Sequence, residues 1–221
     1  MILSASITVN GKKTILSEAM IYFTSDLHLG HENVLAWRKG FNSIDEMDEK
    51  LISNWNSRVH KNDFVIITGD LIYKNKRPAE EYLSELNGRK ILIKGNHDAY
   101  WLKDSTESRL SEYFEGVYDL YSLNRNGVKL RFCHFPMISW EGARHGSILI
   151  CGHIHDQKGN FEAEMFGKVP NAFNAGVDIN GFVPVTLPEL VRNNDAFYGT
   201  VLNEEEQAEL VEKCNSFEEM C

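Results

Sequence analysis

Phe64-Val65-Ile66-Ile67-Thr68-Gly69-Asp70 is the stretch that decides the fold. Its first five residues are apolar or β-branched without polar alternation, the pattern of a strand buried on both faces in a parallel sheet. A glycine and an acid end the run abruptly. Upstream, residues 43–59 repeat with helical period: Met47, Leu51, Ile52 and Trp55 share one face, and acids fill the first turn. Ser43 and Glu46 have capping-box spacing. Further upstream, Ile21-Tyr22-Phe23-Thr24-Ser25 is a second β-rich run. Downstream, Pro78 starts a helix that ends near Asn87-Gly88, and residues 90–94 form a third strand reaching Gly95. The order β-α-β-α-β predicts a parallel sheet with covering helices.

After a helical stretch near residues 105–114 the pattern changes. Residues 117–123, 128–133 and 147–151 are strand-like, Asn126-Gly127 predicts a hairpin, and residues 173–175 add a short strand. The second half therefore reads as more antiparallel than the first. Two sheets packed face to face, with helices outside, fit better than one flat sheet. Residues 161–174 read as a loop near the cleft that carries specificity. A short helix at 187–191 and an amphipathic acidic helix at 204–214 follow. Residues 1–19 form an extension containing Asn10-Gly11, another hairpin signal. An edge hairpin and a segment upstream of a natural start at Met20 are both open readings. The expected organisation is an extension (1–19), one domain (20–200) and an acidic helical tail (201–221).

At 221 residues, 43% hydrophobic and 25% charged, the chain has the makeup of an ordinary globular domain. No apolar run approaches the roughly 20 residues that span a bilayer. Met1-Ile2-Leu3-Ser4 lacks the basic start of a secretory signal, so a cytoplasmic location is expected. A net charge of −9 argues against broad binding to nucleic acid or anionic membrane, though not against one phosphate held at a metal site. Cys133, Cys151, Cys214 and Cys221 form no CxxC pair and read as buried thiols rather than disulfides or ligands. No pattern fixes an oligomeric state.

Short polar clusters interrupt or follow the strand-like runs: Asp26-Leu27-His28, Gly69-Asp70, Gly95-Asn96-His97-Asp98, His134 and Gly152-His153-Ile154-His155. Strand ends lie side by side in an open α/β sheet, so these clusters are expected to converge on one crevice. Gly69 and Gly95 sit where the chain must turn sharply and approach a ligand closely. Asp26 and His28 are two apart, so on a continuing strand they would share a face, and His153 and His155 repeat that spacing. A carboxylate such as Asp70 can hold two cations at once. Nitrogen and oxygen donors without thiolate suit manganese, iron or zinc.

The ordered set D-x-H, G-D, G-N-H-D, H and G-H-x-H resembles the calcineurin-like metallophosphoesterase superfamily, from Asp26 to His155. The resemblance implies a four-layer αββα sandwich of two mixed sheets flanked by helices. It implies two divalent metal ions: Asp26, His28 and His155 on one, Asn96, His134 and His153 on the other, and Asp70 bridging them. His97 matches the proton donor, with Asp98 orienting its imidazole. The implied reaction is hydrolysis of a small soluble phosphate monoester or diester by in-line attack of a metal-bridging hydroxide. His31 and Arg77, the latter near Lys74 and Lys76, are candidate substrate contacts. His60 and His145 lack motif context and read as exposed. Two alternatives stay open: a nuclease, and a metal-binding scaffold without turnover. Superfamily likeness does not set substrate.

Overall fold

The computed structural model describes residues 5–9, 12–16, 19–73, 77–103 and 106–219. Strands β1 (Ala5–Val9) and β2 (Lys12–Leu16) pair antiparallel; the Asn10-Gly11 turn expected between them lies outside the described residues. One four-stranded sheet then contains β3 (Ile21–Thr24), β4 (Phe64–Ile67), β5 (Arg89–Ile93) and β6 (Phe114–Tyr118) in that order, all parallel. The other contains β7 (Leu120–Arg125), β8 (Val128–Cys133), β9 (Ile148–Cys151) and β10 (Ala172–Asn174), in spatial order β10-β9-β8-β7. Only its β7–β8 pair is antiparallel, joined through Asn126-Gly127, while β8–β9 and β9–β10 are parallel. The second half is thus less antiparallel than its sequence suggests.

Side-chain alternation builds the layers. Ile21, Phe23, Phe64, Ile66, Ile91 and Ile93 face inward and meet Leu130, Phe132, Ile148 and Ile150 from the other sheet. Tyr22, Val65, Ile67 and Leu92 face outward onto α1 (Ile44–Arg58) and α2 (Ala79–Glu85), against Met47, Leu51, Ile52, Trp55, Tyr82 and Leu83. The apolar run of β4 is uninterrupted because both of its faces are covered. Ser43 caps α1 by accepting the Glu46 N–H at 3.1 Å, but Glu46 reaches back to the Asn42 N–H instead of completing a reciprocal box. Behind β9, Leu149 and Cys151 pack on Ile154 and on Phe166 of α5 (Phe161–Phe166). The result is the expected four-layer α/β sandwich, except that one sheet is wholly parallel and only the other is mixed.

Three local readings need correction. The β-rich run 117–123 splits at Asp119: β6 completes one sheet and β7 starts the other. Residues 161–174 hold α5 and β10 rather than an open loop. The helix expected at 187–191 continues to Tyr198 as α6 (Leu187–Tyr198). The last helix, α7 (Glu204–Glu218), sends Leu210, Cys214 and Phe217 into the core between the sheets. No described helix is long and apolar enough to cross a membrane.

Candidate metal centre

The polar clusters all lie just beyond carboxyl ends of strands: Asp26 after β3, Asp70 after β4, Asn96 and His97 after β5, His134 after β8, and His153 after β9. Backbone bonds stitch these loops across the sheets, including Asp26 N to Gly69 O, His28 N to Asp70 O and Gly152 N to His134 O, each at 2.9 Å. The expectation that Asp26 and His28 share the face of a continuing strand is overturned. β3 stops at Thr24, and both residues adopt left-handed backbone, φ 58° and 54°. Asp70, His153 and His155 do the same. Left-handed backbone in a non-glycine residue is strained by about 1–3 kcal/mol, and such strain concentrates where function over-determines geometry. Two glycines make room. A Cβ on Gly69 would collide with the His134 ring, and one on Gly95 with the Asp70 carboxylate.

The histidines point one ring nitrogen inward. His28 Nε2 lies 3.7 Å from Asp70 Oδ2 and 4.0 Å from Asp26 Oδ1. His134 Nε2 lies 3.5 Å from Asp70 Oδ2, and His155 Nε2 lies 4.0 Å from Asp26 Oδ1. These gaps are too long for hydrogen bonds. They are slightly wider than the roughly 3–3.5 Å separating two atoms that ligate one cation at about 2.0–2.2 Å each. The other nitrogens are engaged elsewhere: His134 Nδ1 on the Thr68 carbonyl (2.8 Å), His28 Nδ1 on His31 Nδ1 (3.0 Å), His155 Nδ1 on Asp178 (2.8 Å). Thr68 O can only accept, so His134 Nδ1 carries a hydrogen. With one proton on that ring, the bare Nε2 faces Asn96 Oδ1 at 3.0 Å. Lone pairs facing lone pairs suit a shared cation. His28 Nε2 is buried without a hydrogen-bond partner, which fits the same demand.

Electrostatics agree. The side chains of Asp26, Asp70, Asp98 and Asp178 are at most 4% exposed, and Arg38 is the buried guanidinium beside them. Burial pushes the Asp26 carboxyl up and, with the neighbouring His155, Arg38 and other histidines, holds His28 well below the usual histidine range. Burial also lowers His153. Buried negative charge in excess of cation is costly, and added divalent ions relieve it. Asp26, His28 and His155 form one group able to hold a metal ion; Asp26, Asp70 and His134 form another, and His28, Asp70 and His97 a third.

The calcineurin-like phosphoesterase family model matches residues 19–145, more than half of the chain. This chain belongs to the calcineurin-like phosphoesterase family. It is 33% identical over 180 residues to an uncharacterized protein of Methanocaldococcus jannaschii, covering 80% of this chain and 92% of that one. The gene 66 protein of Mycobacterium phage L5 is 32% identical over 164 residues, covering 61% of this chain and 76% of the phage protein. A protein of unknown function from Aquifex aeolicus, AQ665, has a similar structure: TM-score 0.58, 26% identity, 79% of this chain and 99% of that one.

Within this phosphoesterase domain the seven expected ligand residues gather at one place. His153 and Asn96 join through a 3.1 Å contact, and the His153 ring lies 5.1 Å from that of His134. His97 stands beside them, half-exposed, its Nε2 3.9 Å from Asp70 Oδ2 and its N–H donating to Asp70 Oδ1. His31 is buried against His28, and its ring packs on Tyr73 and His97. Burial and the nearby His97 lower its pKa to about 4. His31 and Tyr73 also wall a cavity of about 640 Å³ that opens beside the centre.

Two expectations change. Asp98 does not orient the His97 ring. Its Oδ2 accepts N–H bonds from Asp70 and Gly95 (2.8 Å each), and its Oδ1 from Leu71 and Trp101 Nε1 (3.0 Å each). It knots the Gly-Asp and Gly-Asn turns together instead. Burial raises its pKa, but four donors and no acceptor keep it a carboxylate. Arg77 lines the cavity yet pairs with Glu81 and Glu85 and lies over the Tyr82 ring, so no free fork faces the centre. Lys74 and Lys76 lie outside the described residues. His60 and His145 are exposed. Sequence reasoning missed Asp178, Arg38 and Tyr73. For Asp178 a signal existed: it follows β10 as the other clusters follow their strands.

Proposed function

We infer that this protein is a metal-dependent hydrolase of small phosphate monoesters or diesters. One observation carries the reading: the Nε2 atoms of His28, His134 and His155 converge on Asp26 and Asp70 at 3.5–4.0 Å, too far to hydrogen-bond and slightly wider than the spacing of atoms that share a cation. Asp26, His28 and His155 would hold one divalent ion, Asn96, His134 and His153 a second, with Asp70 between them; manganese, iron and zinc suit these donors. When bound, such ions polarise phosphoryl oxygens and acidify water. His97 delivers a proton to the departing ester oxygen; its ring reaches solvent while its backbone N–H fixes it to Asp70. The Tyr73 ring (4.4 Å) and the His31 ring (5.4 Å) pack around it and hold its orientation.

The test is elemental analysis of purified protein together with a phosphoester panel in manganese. His97→Ala should cut turnover by about 10²–10⁴ while metal content stays unchanged. Equal turnover in mutant and parent would leave the proton-donor role untenable. A nucleotide substrate is a second reading, favoured by Trp37, Tyr100 and Phe135, which are all nearly half exposed. Trp37 and Phe135 contact the rings of His155 and His153. If a base stacks there, nucleotide diesters will show a lower KM than alkyl diesters, and Trp37→Ala will abolish the difference.

A further inference from the structure

The three histidines that turn Nε2 inward differ in what holds their other nitrogen. His134 Nδ1 meets a neutral carbonyl, and His28 Nδ1 meets another imidazole. His155 Nδ1 alone among these three meets a carboxylate, Asp178 Oδ2 at 2.8 Å. Asp178 is itself gripped by Arg38, Nε to Oδ1 at 2.7 Å and Nη2 to Oδ2 at 2.8 Å. The same guanidinium donates to the Asp26 carbonyl at 2.8 Å and the Leu27 carbonyl at 2.9 Å. One buried arginine therefore fixes both the loop carrying Asp26 and the acid that holds His155. The Arg38 and Asp178 side chains are 1% and 4% exposed, so water screens neither.

We propose that Asp178, anchored by Arg38, is a positioning residue that aims His155 Nε2 at the Asp26 side of the centre and tightens divalent-cation binding there, leaving the His134 side unaffected. The proposal rests on the metal-dependent reading above. A carboxylate accepts only, so the hydrogen of the singly protonated imidazole sits on Nδ1 and the lone pair on Nε2, facing Asp26 Oδ1. Hydrogen bonding to a carboxylate also makes that lone pair a stronger donor than a carbonyl or imidazole partner does. Arg38 contributes a second element. Its bidentate grip removes rotation about the Asp178 carboxyl, so the histidine inherits a fixed direction.

Calorimetric titration of metal-stripped protein with Mn²⁺ and with Zn²⁺ tests this. In Asp178→Asn, one of two binding steps should weaken by about 10–100-fold, the usual effect of removing such a partner, and the other should stay put. Arg38→Lys keeps the charge but loses the fork; it should weaken the same step several-fold with the fold intact by circular dichroism. Should Asp178→Asn fail to fold, Arg38→Lys decides. A long-range ¹H–¹⁵N correlation of the parent at pH 8 should show His155 as the Nδ1–H tautomer. A parent isotherm with two steps that either folded variant reproduces would overturn the proposal alone, as would an Nε2–H tautomer. A parent that takes up no divalent ion would overturn the hydrolase reading with it.

Discussion

Replacing Asp98 by Asn removes one oxygen atom's charge and tests how the centre is held together. Asp98 accepts four N–H bonds, two on each oxygen, from Asp70, Gly95, Leu71 and the Trp101 indole. An asparagine keeps an acceptor for one pair and turns an NH₂ toward the other. Two hydrogen bonds to a charged acceptor are lost, at about 1.5–3 kcal/mol each, and two donors become buried without partners. Relief of a buried charge offsets part of this, since burial already raises the Asp98 pKa. The balance is a destabilisation on the order of 3 kcal/mol, or about 6–12 °C in Tm for a chain this size. Urea unfolding of metal-free protein, followed by circular dichroism and by tryptophan fluorescence, measures it. A loss below about 1 kcal/mol would refute the picture of Asp98 as an ionised hub.

Three further outcomes follow from the geometry. Asp48 is buried, accepts from Gly30 N and Tyr82 Oη, and has its pKa pushed by burial up to about 6. Between about pH 4 and 6 the native state binds a proton that the unfolded chain has released, so stability should fall as pH rises through that window, by up to about 3 kcal/mol; Asp48→Asn should flatten this slope in urea titrations. Gly95→Ala places a methyl group against Asp70, and metal retention measured by elemental analysis should drop even where the protein still folds. Trp55 is fully buried and its Nε1–H donates to the Asn87 carbonyl at 2.9 Å; Trp55→Ala should cost about 3–5 kcal/mol in chemical denaturation, with a small effect refuting its place in the outer core.

Much of this architecture was legible because a parallel strand announces itself twice, by an unbroken apolar run and by the abrupt polar break after it. Phe64-Val65-Ile66-Ile67 followed by Gly69-Asp70 shows both signals, and the breaks after β3, β5, β8 and β9 bring their polar residues to one place. What escaped depends on tertiary context. The sheet switch at Asp119 leaves no mark in a continuous β-rich run, because packing against two different sheets decides it. The left-handed turns at Asp26, His28, His153 and His155 were hidden because spacing of two suggests an extended strand. Arg38 reads as an ordinary solvated loop arginine until the carboxylate 140 positions away is placed against it. Asp98 departs from what the resemblance implies for a related reason: the tight turn directs its carboxylate to the N–H groups of Asp70, Gly95 and Leu71 and to the Trp101 indole, not to the His97 ring.

Helix α7 ties the two ends of this domain together. Phe217 is fully buried, its ring 6.0 Å from that of Phe23 on the strand that delivers Asp26, and Glu218 accepts the Leu187 N–H. During synthesis, the first ligand-bearing strand leaves the ribosome nearly two hundred residues before the side chain that backs it. The strand that carries Asp26 is therefore fully backed only once Phe217 has emerged from the exit tunnel.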